Sequence, residues 1–494
     1  MKFFNKLFHL EERQTSIKKE IIGGLLTFVA MCYLLPVIAS NLSNGAGMDK
    51  QGVFVMTALA TMIVTLIMGL VGNLPIGLSC GLAINAYVAF TLSSSFPHWE
   101  QRMILLTASG ILSLILFLTP VRKYLINAIP MDIKFIIAAS LGAFLMFVGL
   151  KNAGIVTSSP STLVQLGNFA DPGMLIALMA IFVIIGLMFT KNNILKTMAI
   201  PFGILFAAIA GLTASLIMTS TGAMKVVNGV GIYQFGNLDG TISNLPIAPW
   251  LIKDLKFADL LPAKNVAFFG LLRDSYNGKD FASDLGYVFS NPVSYVAIFS
   301  IAFINLFDTT ATYLSTNDKL AIMDENGKFN NYRRTVLADT IGTVIVGPLG
   351  TTTVEPLAET NIGVAAGAKT GLAAVTIAFM FLLSAFIYPI FSVFTANTVT
   401  APAVVGIGIV VLNSSLTQLD FKKADTFIVG VIAIIMSVLT YSISNGIGFG
   451  LIAYCVIKIV EGKYKEIGLP IFIITGLFIV AFTAETIVNV LSNS

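Results

Sequence analysis

Long apolar runs follow one another along the chain, separated by short polar connections. A helix needs about 20 residues to cross roughly 30 Å of hydrocarbon. Runs of this kind lie at 21–42, 53–73, 102–120, 132–150, 174–190, 195–219, 290–312, 371–390, 399–413, 425–442 and 447–461, with shorter glycine-interrupted runs at 76–94, 336–348 and 353–366. The pattern predicts fourteen helical membrane crossings. A further apolar run at 468–486 is either a fifteenth crossing or a helix lying in the interface.

A long mixed-charge connection at 220–289 divides the crossings into two sets of seven. An odd number of crossings per half gives the halves opposite orientations, which is the inverted-repeat arrangement of many secondary transporters. The third run of each half is an interrupted one, at 76–94 and at 353–366. The predicted segments are a cytoplasmic N-terminus, a first seven-span repeat, an extracellular loop, a second seven-span repeat and a C-terminal tail, at 1–20, 21–219, 220–289, 290–461 and 462–494.

The composition agrees with an all-α polytopic membrane protein. Hydrophobic residues make up 56% of the chain and charged residues only 11%, far from the balance of a soluble domain. The net charge of +4 does not indicate nucleic-acid binding, because the basic residues lie in connections rather than on one stripe. The cysteines Cys32, Cys80 and Cys455 lie in apolar runs without metal or redox spacing. No cofactor and no metal are expected.

Basic residues are distributed as the positive-inside rule requires for this topology. With the N-terminus inside, the short cytoplasmic connections receive Arg122, Lys123, Lys191, Lys196, Lys319, Lys328, Arg333, Arg334, Lys369, Lys422, Lys423, Lys458, Lys463 and Lys465. The short external connections receive only Lys50, Arg102 and Lys151. We therefore expect a multi-pass protein of the plasma membrane with a cytoplasmic N-terminus.

Two carboxylates fall inside predicted crossings, Asp308 in the eighth and Glu359 in the tenth. An acid at the centre of a spanning helix costs about 2.5–3.5 kcal/mol on insertion scales, so it is expected to face a polar cavity or a partner. Either group can accept hydrogen bonds from a polar substrate, and Asp308 can also carry a proton. The alternative is an acid neutralised by a neighbouring helix. We take both as candidate site residues.

The interrupted runs supply the other candidates. Pro356 fits the first turn of a half-helix, which would place Glu355 near its positive end and Glu359 about one turn in. Glu355 is either a capping acid or a proton carrier. In the third crossing, Asn85 offers an amide that donates and accepts. The candidate substrate-binding residues are Glu359, Asp308, Asn85, Ala83, Phe28 and Thr360, and the candidate proton-coupling residues are Asp308 and Glu355.

An ordered series of motifs resembles the AzgA-like guanine/hypoxanthine permeases of the nucleobase:cation symporter-2 superfamily. The motifs include Leu26-Thr27-Phe28, Ala46-Gly47-Met48-Asp49-Lys50, Asn73-Leu74-Pro75, Gly149-Leu150-Lys151-Asn152, Leu306-Phe307-Asp308-Thr309 and Thr440-Tyr441-Ser442. The resemblance implies a core domain (spans one to four and eight to eleven) that moves against a gate domain (spans five to seven and twelve to fourteen). It also implies short antiparallel strands at the start of spans three and ten, with the base held between them and span eight.

Carried over residue by residue, the site acids of these permeases fall on Asp308 and Glu359, and their third-span asparagine falls on Asn85. The chain departs from the usual pattern at Ile38, Ala39, Cys80, Ala83, Ala311, Glu355 and Pro356. The acid pair is retained while the surrounding pocket is altered, so the identity of the base stays open.

The leading functional prediction is a secondary active importer of a purine nucleobase of the guanine, hypoxanthine or adenine type, driven by proton symport. The alternatives are another nucleobase or small polar solute with Na⁺ coupling, or anion exchange on the same fold, although an anion site would favour a basic or neutral residue at 308 and 359. An enzyme is disfavoured, because the predicted spans contain no histidine and no nucleophile–base pair. The expected partners are the base, the ion and membrane lipid, with a homodimer left open.

Overall fold

The computed structural model describes residues 5, 7–93, 95–119, 130–159, 161–192, 195–196, 198–227, 230–247, 281–320, 332–357, 359–469, 471–476, 478–479 and 482–483. Helices dominate these residues. The first half contains α1 (Ile17–Met31), α2 (Leu34–Ala46), α3 (Lys50–Ile67), α4 (Leu82–Ala86), α5 (Trp99–Leu118), α6 (Met131–Asn152), α7 (Pro172–Met188) and α8 (Ala199–Ser220). The π-helical turns Met68–Gly72 and Tyr87–Thr91 extend α3 and α4.

The helices of the second half also follow the apolar runs of the sequence. It contains α9 (Phe281–Ser290), α10 (Pro292–Leu320), α11 (Tyr332–Leu349), α12 (Thr360–Ala365), α13 (Gly371–Ala385), α14 (Tyr388–Phe391), α15 (Asn397–Leu416), α16 (Ala424–Leu439) and α17 (Ile443–Val460). The strands are β1 (Leu78–Cys80), β2 (Val156–Ser159), β3 (Leu163–Leu166), β4 (Met224–Val227), β5 (Val230–Tyr233) and β6 (Val354–Pro356). β2 pairs with β3 and β4 with β5 as antiparallel hairpins, and β1 pairs with β6 across the chain.

Six helical segments in the described part of the chain are long and apolar enough to cross a membrane. They are Ile17–Ala46, Lys50–Gly72, Trp99–Leu118, Met131–Asn152, Ala199–Ser220 and Asn397–Leu416. A seventh is formed if α9 and the start of α10, which meet at an angle of 88°, make one bent span. Shorter apolar helices include α7, α13 and α16. These lengths and compositions are those of an integral membrane protein.

The first span, Ile17–Ala46, contains a local break in its helical hydrogen bonding, which the hydrophobic pattern did not predict. α1 ends at Met31 and α2 begins at Leu34, while Cys32 and Tyr33 between them keep helical backbone angles. Pro36 accounts for the break, because proline has no N–H to donate to the carbonyl of Cys32 four residues earlier. Tyr33 is buried, with only 5% of the residue accessible.

Close backbone approaches join the helices of the two halves. A Cβ on Gly142 of α6 would overlap the backbone of Leu412 in α15, and one on Gly408 would overlap Met146. Small residues at such crossings let two helices approach closely. Their van der Waals contacts then hold them together, because lipid provides no hydrophobic driving force for association. In the C-terminal tail, Ile471, Ile474 and Phe478 are buried, and Phe478 lies against Gly448 of α17.

Candidate functional site

The two interrupted segments meet as a pair of short antiparallel strands. Leu78 lies opposite Pro356, Ser79 opposite Glu355 and Cys80 opposite Val354. The ladder continues beyond the strands, because the N–H of Gly81 donates to the Thr353 carbonyl at 3.0 Å and the N–H of Leu357 donates to the Gly77 carbonyl at 3.1 Å. The first residues of α4 and α12 therefore start from one rigid junction between the two halves of the chain.

The placement of Pro356 in the first turn of a half-helix is wrong. Pro356 is the last residue of β6, and α12 begins only at Thr360, with Glu359 as its N-cap residue. The ladder bonds at Gly77–Leu357 and Gly81–Thr353 make Leu78–Pro356 a non-hydrogen-bonded pair, where a missing N–H removes no ladder bond. Glu355 accordingly lies in a strand rather than at a helix end.

A row of threonines on α3 holds β1 from its other side. Thr65 both donates to the Leu78 carbonyl at 2.8 Å and accepts from the Leu78 N–H at 3.0 Å. One turn earlier, the hydroxyls of Thr61 and Ser79 are 2.8 Å apart. Thr57, a further turn away, contacts Thr351 at 2.8 Å. Every fourth residue of α3 thus satisfies a polar group of the strand junction that burial would otherwise leave unpaired.

Glu359 is bonded to the break in the first span. The Tyr33 hydroxyl donates to Oε1 of Glu359 at 2.7 Å, a short distance typical of bonds to a carboxylate. Glu359 is partly buried and Tyr33 is buried. The carboxylate is therefore held by one donor from the first half of the chain and retains acceptor capacity for a second one.

Asn85 lies on α4 and is fully buried. Its Oδ1 accepts a hydrogen bond of 2.9 Å from Nδ2 of Asn41, which lies on α2. The Nδ2 of Asn85 has no hydrogen-bond acceptor among the described residues. A buried donor without an acceptor costs about 1–3 kcal/mol. The amide is thus a polar group that a bound ligand can satisfy.

Two other predicted site residues have structural contacts. Thr360 is fully buried, and its Oγ1 accepts from the Gly77 N–H at 3.1 Å, which ties the start of α12 to the segment before β1. Phe28 is partly buried and its ring meets that of Phe381 edge-on, with centroids 5.2 Å apart. The Thr360 contact stabilises the strand pair, and the Phe28 contact packs α1 against α13.

Glu355 is 7% accessible and lies opposite Ser79 in the strand pair, and its carboxylate reaches Gly81. A Cβ built on Gly81 would overlap the Glu355 carboxylate, so only glycine fits at that position without a shift. The carboxylate therefore lies directly at the start of α4, four residues before Asn85.

Two candidate residues can be placed only by their backbone. Asp308 lies within α10 and Ala83 within α4, and their side chains lie outside the described part of the structure. One hydrogen bond next to Asp308 lies in the described part of the structure. The hydroxyl of Thr309 donates to Asp339 Oδ2 at 3.3 Å and joins α10 to α11. Thr309 and Asp339 are both buried.

The polarity of the site was only partly visible in the sequence. Nothing in the sequence predicted the hydrogen bond that Tyr33 donates to Glu359. Asn41 carried no signal beyond being an amide in an apolar run. Among the described residues, no group of three or more His, Cys, Asp or Glu side chains is arranged to hold a metal ion.

Comparison with known proteins decides the family. The family model Xan_ur_permease, described as Permease family, matches residues 18–449. The chain belongs to this family of permeases. The resemblance found in the sequence motifs is thereby confirmed, and the permease is an integral membrane protein.

Its relatives match over nearly their whole length. The guanine/hypoxanthine permease PbuO of Bacillus subtilis is 33% identical over 479 residues, covering 96% of this chain and 99% of that protein. The adenine permease AdeQ of Escherichia coli is 28% identical over 479 residues, covering 96% and 95%. Both relatives are named for the purine bases that they carry.

Solved structures share the fold. The transmembrane domain of the cyanobacterial bicarbonate transporter BicA superposes with a TM-score of 0.55 at 13% identity, covering 88% of this chain and 97% of that one. SLC26A9 gives 0.56 at 11% identity, covering 91% and 67%. At such low identity the likeness concerns the fold alone, which is that of a membrane transporter.

Proposed function

We propose that this permease imports a purine nucleobase across the plasma membrane by proton symport and alternating access. The observation that supports the proposal is that two complementary polar groups follow the paired strands, Asn85 on the helix after β1 and Glu359 three residues after β6. Glu359 offers a carboxylate acceptor, and Asn85 offers a buried N–H donor with no acceptor among the described residues. Purines present donors and acceptors side by side on one edge. The purine bases named for the relatives agree with this chemistry.

The binding mode that we propose uses both halves of the chain. Glu359 accepts from an N–H of the base through a charge-assisted hydrogen bond, and Asn85 donates to a neighbouring carbonyl or ring nitrogen. Ala83, Phe28 and Thr360 complete the surroundings of the base. Because β1 and β6 form one junction, the two groups keep a fixed separation when the junction moves.

For the fold we propose the 7+7 inverted repeat with fourteen crossings and a cytoplasmic N-terminus. The placement of basic residues supports the orientation, and the likeness to membrane transporters supports the architecture. Spans one to four and eight to eleven form the core that carries the strand pair, and the remaining spans form the gate. The segments 1–20, 21–219, 220–289, 290–461 and 462–494 are the N-terminus, first repeat, external loop, second repeat and tail.

For coupling, we propose that Asp308 takes a proton from outside and releases it inside, with Glu355 as a second protonation site. An ionisable group in an apolar helix of a transporter is a functional candidate by default. Glu355 supports this proposal by its burial at the strand junction, beside Gly81.

Uptake into a host strain that lacks its own base transporters tests the proposed function. Cells expressing the permease should accumulate radiolabelled hypoxanthine, guanine or adenine, and a protonophore should abolish the accumulation. Accumulation that survives the protonophore but needs external Na⁺ would replace the proton with sodium. A protein present in the membrane that takes up no base but exchanges bicarbonate would overturn the proposal in favour of anion exchange.

A further inference from the structure

The first span contacts both polar groups of the proposed base site. Tyr33, at the break, donates to Glu359 on the second half of the chain. Asn41, two turns further along α2, donates to Asn85 on the first half. Tyr33 and Asn41 are 5% and 2% accessible, so water does not compete for either bond. One helical segment therefore sets the orientation of two groups that come from different repeats.

The direction of the bond between Asn41 and Asn85 decides what the site offers. While Nδ2 of Asn41 donates to Oδ1 of Asn85, the NH₂ group of Asn85 is left over, fully buried and without an acceptor among the described residues. If the bond ran the other way, Asn85 would turn its oxygen to the ligand instead. The site would then hold two acceptors and no donor.

Tyr33 acts in the same manner on Glu359. A phenol hydroxyl next to a carboxylate donates, so Oε1 of Glu359 is occupied and the carboxylate is fixed in rotation. The other oxygen remains for the ligand.

We propose that Tyr33 and Asn41 are positioning residues that fix the hydrogen-bonding polarity of the site, with Glu359 as acceptor and Asn85 as donor. The ligand class that fits is a planar heterocycle with an N–H beside a carbonyl or an unprotonated ring nitrogen. The inference rests on the proposed function, since it assumes that a base binds between these groups.

The same helix offers a matched control. Asn44 lies one turn beyond Asn41 on α2, and its Nδ2 donates to Oδ1 of Asn397 at 2.8 Å rather than to Asn85. Asn397 begins α15. A carboxyl group introduced at Asn44, which is exposed, adds the same charge to α2 but does not touch the Asn85 amide.

The test measures hypoxanthine binding by calorimetry to the full-length purified permease and its variants. Asn41→Asp keeps a hydrogen bond to Asn85 but makes Asn85 the donor, which turns its oxygen toward the ligand. We expect affinity to fall about tenfold or more, as for loss of one hydrogen bond to a ligand. Asn44→Asp should stay within twofold of the wild type. If Asn41 had a merely structural role, Asn41→Asp would bind as the wild type does.

Double-mutant cycles show whether each residue acts through its partner. In an Asn85→Leu background, Asn41→Asp should change affinity less than twofold, and Tyr33→Phe should have as little effect in a Glu359→Leu background, which removes the acceptor of the Tyr33 hydroxyl. Tyr33→Phe alone, which keeps the ring and removes only the donor, should weaken binding about fivefold to tenfold. Additive effects in both cycles would overturn the inference.

The possible outcomes distinguish this inference from the proposed function on which it rests. A wild-type protein that is folded but binds neither hypoxanthine, guanine nor adenine refutes the proposed function. A wild-type protein that binds a base while Asn41→Asp and Tyr33→Phe leave the affinity unchanged refutes only the positioning roles. If Asn41→Asp fails to fold, Tyr33→Phe and its cycle still decide the inference for the Glu359 half of the site.

Discussion

Gly81 and the Glu355 carboxylate face each other across the strand junction so closely that a Cβ on Gly81 would overlap the carboxylate. Gly81 is also the residue whose N–H extends the ladder, donating to Thr353 at 3.0 Å. A side chain at Gly81 would therefore displace the Glu355 carboxylate at the start of α4.

Gly81→Ala should lower base uptake about tenfold or more at equal amounts of membrane protein, because the added methyl group displaces Glu355 or bends β1. Gly81→Ala combined with Glu355→Ala should restore the thermal stability that the single change loses. Gly186→Ala is the control, since nothing lies within 4 Å of a Cβ at that position of α7. If Gly81→Ala takes up base at the wild-type rate, the close approach of Gly81 and Glu355 does not contribute to transport.

Thr65→Val should destabilise the protein by about 1–3 kcal/mol, because both the N–H and the carbonyl of Leu78 lose their partner in a buried place. The thermal unfolding midpoint of the purified protein measures this. Thr213→Val serves as control: its hydroxyl is exposed and bonds only within its own helix, to the Ile209 carbonyl. Equal midpoints for the two variants would mean that the threonine row does not hold the strand pair.

The proposed topology places the hairpin of β4 and β5 outside and the connection between α12 and α13 inside. Exposed positions for labelling are Thr241 and Ala366. In a background without Cys32, Cys80 and Cys455, an impermeant thiol reagent applied to intact cells should label Thr241→Cys and leave Ala366→Cys unlabelled until the membrane is permeabilised. The opposite pattern contradicts the orientation.

Asp308→Asn should abolish accumulation of base against its gradient while leaving exchange of labelled for unlabelled base. Uphill movement needs the ion, whereas exchange needs only the ligand site and the conformational change. Reconstituted vesicles with an imposed proton gradient separate the two activities. If well-folded Asp308→Asn still concentrates base and a protonophore still collapses that accumulation, Asp308 is not the coupling residue.

The hydrophobic pattern alone was enough to locate most helices, since each apolar run of about 20 residues must satisfy its own backbone in lipid. It missed the break at Cys32–Tyr33, because Pro36 changes the hydrogen bonding without changing hydropathy. It also placed Pro356 in a helix. The strand β6 forms only against its partner β1, and Leu78, the residue opposite Pro356, lies 278 positions earlier in the chain.

The candidate acids could be proposed from the sequence because a carboxylate in an apolar run is costly wherever it points. The groups that bond to the candidate residues could not. The bonds from Tyr33 to Glu359 and from Asn41 to Asn85 join positions 326 and 44 residues apart, and nothing local marks either donor. The threonine row at Thr57, Thr61 and Thr65 did carry a signal, since hydroxyls at every fourth position line one face of a helix.

The central claim is that the Glu359 carboxylate, at the start of the helix that follows β6, binds a purine base. Calorimetry of hypoxanthine, or of guanine or adenine if that is the base carried, on wild-type protein and on Glu359→Gln in the same detergent tests it most directly. The charge-assisted hydrogen bond from the base should be lost, lowering affinity about a hundredfold, which is a change of about 3 kcal/mol. Equal affinities for the two proteins, both with intact thermal unfolding, would contradict the account.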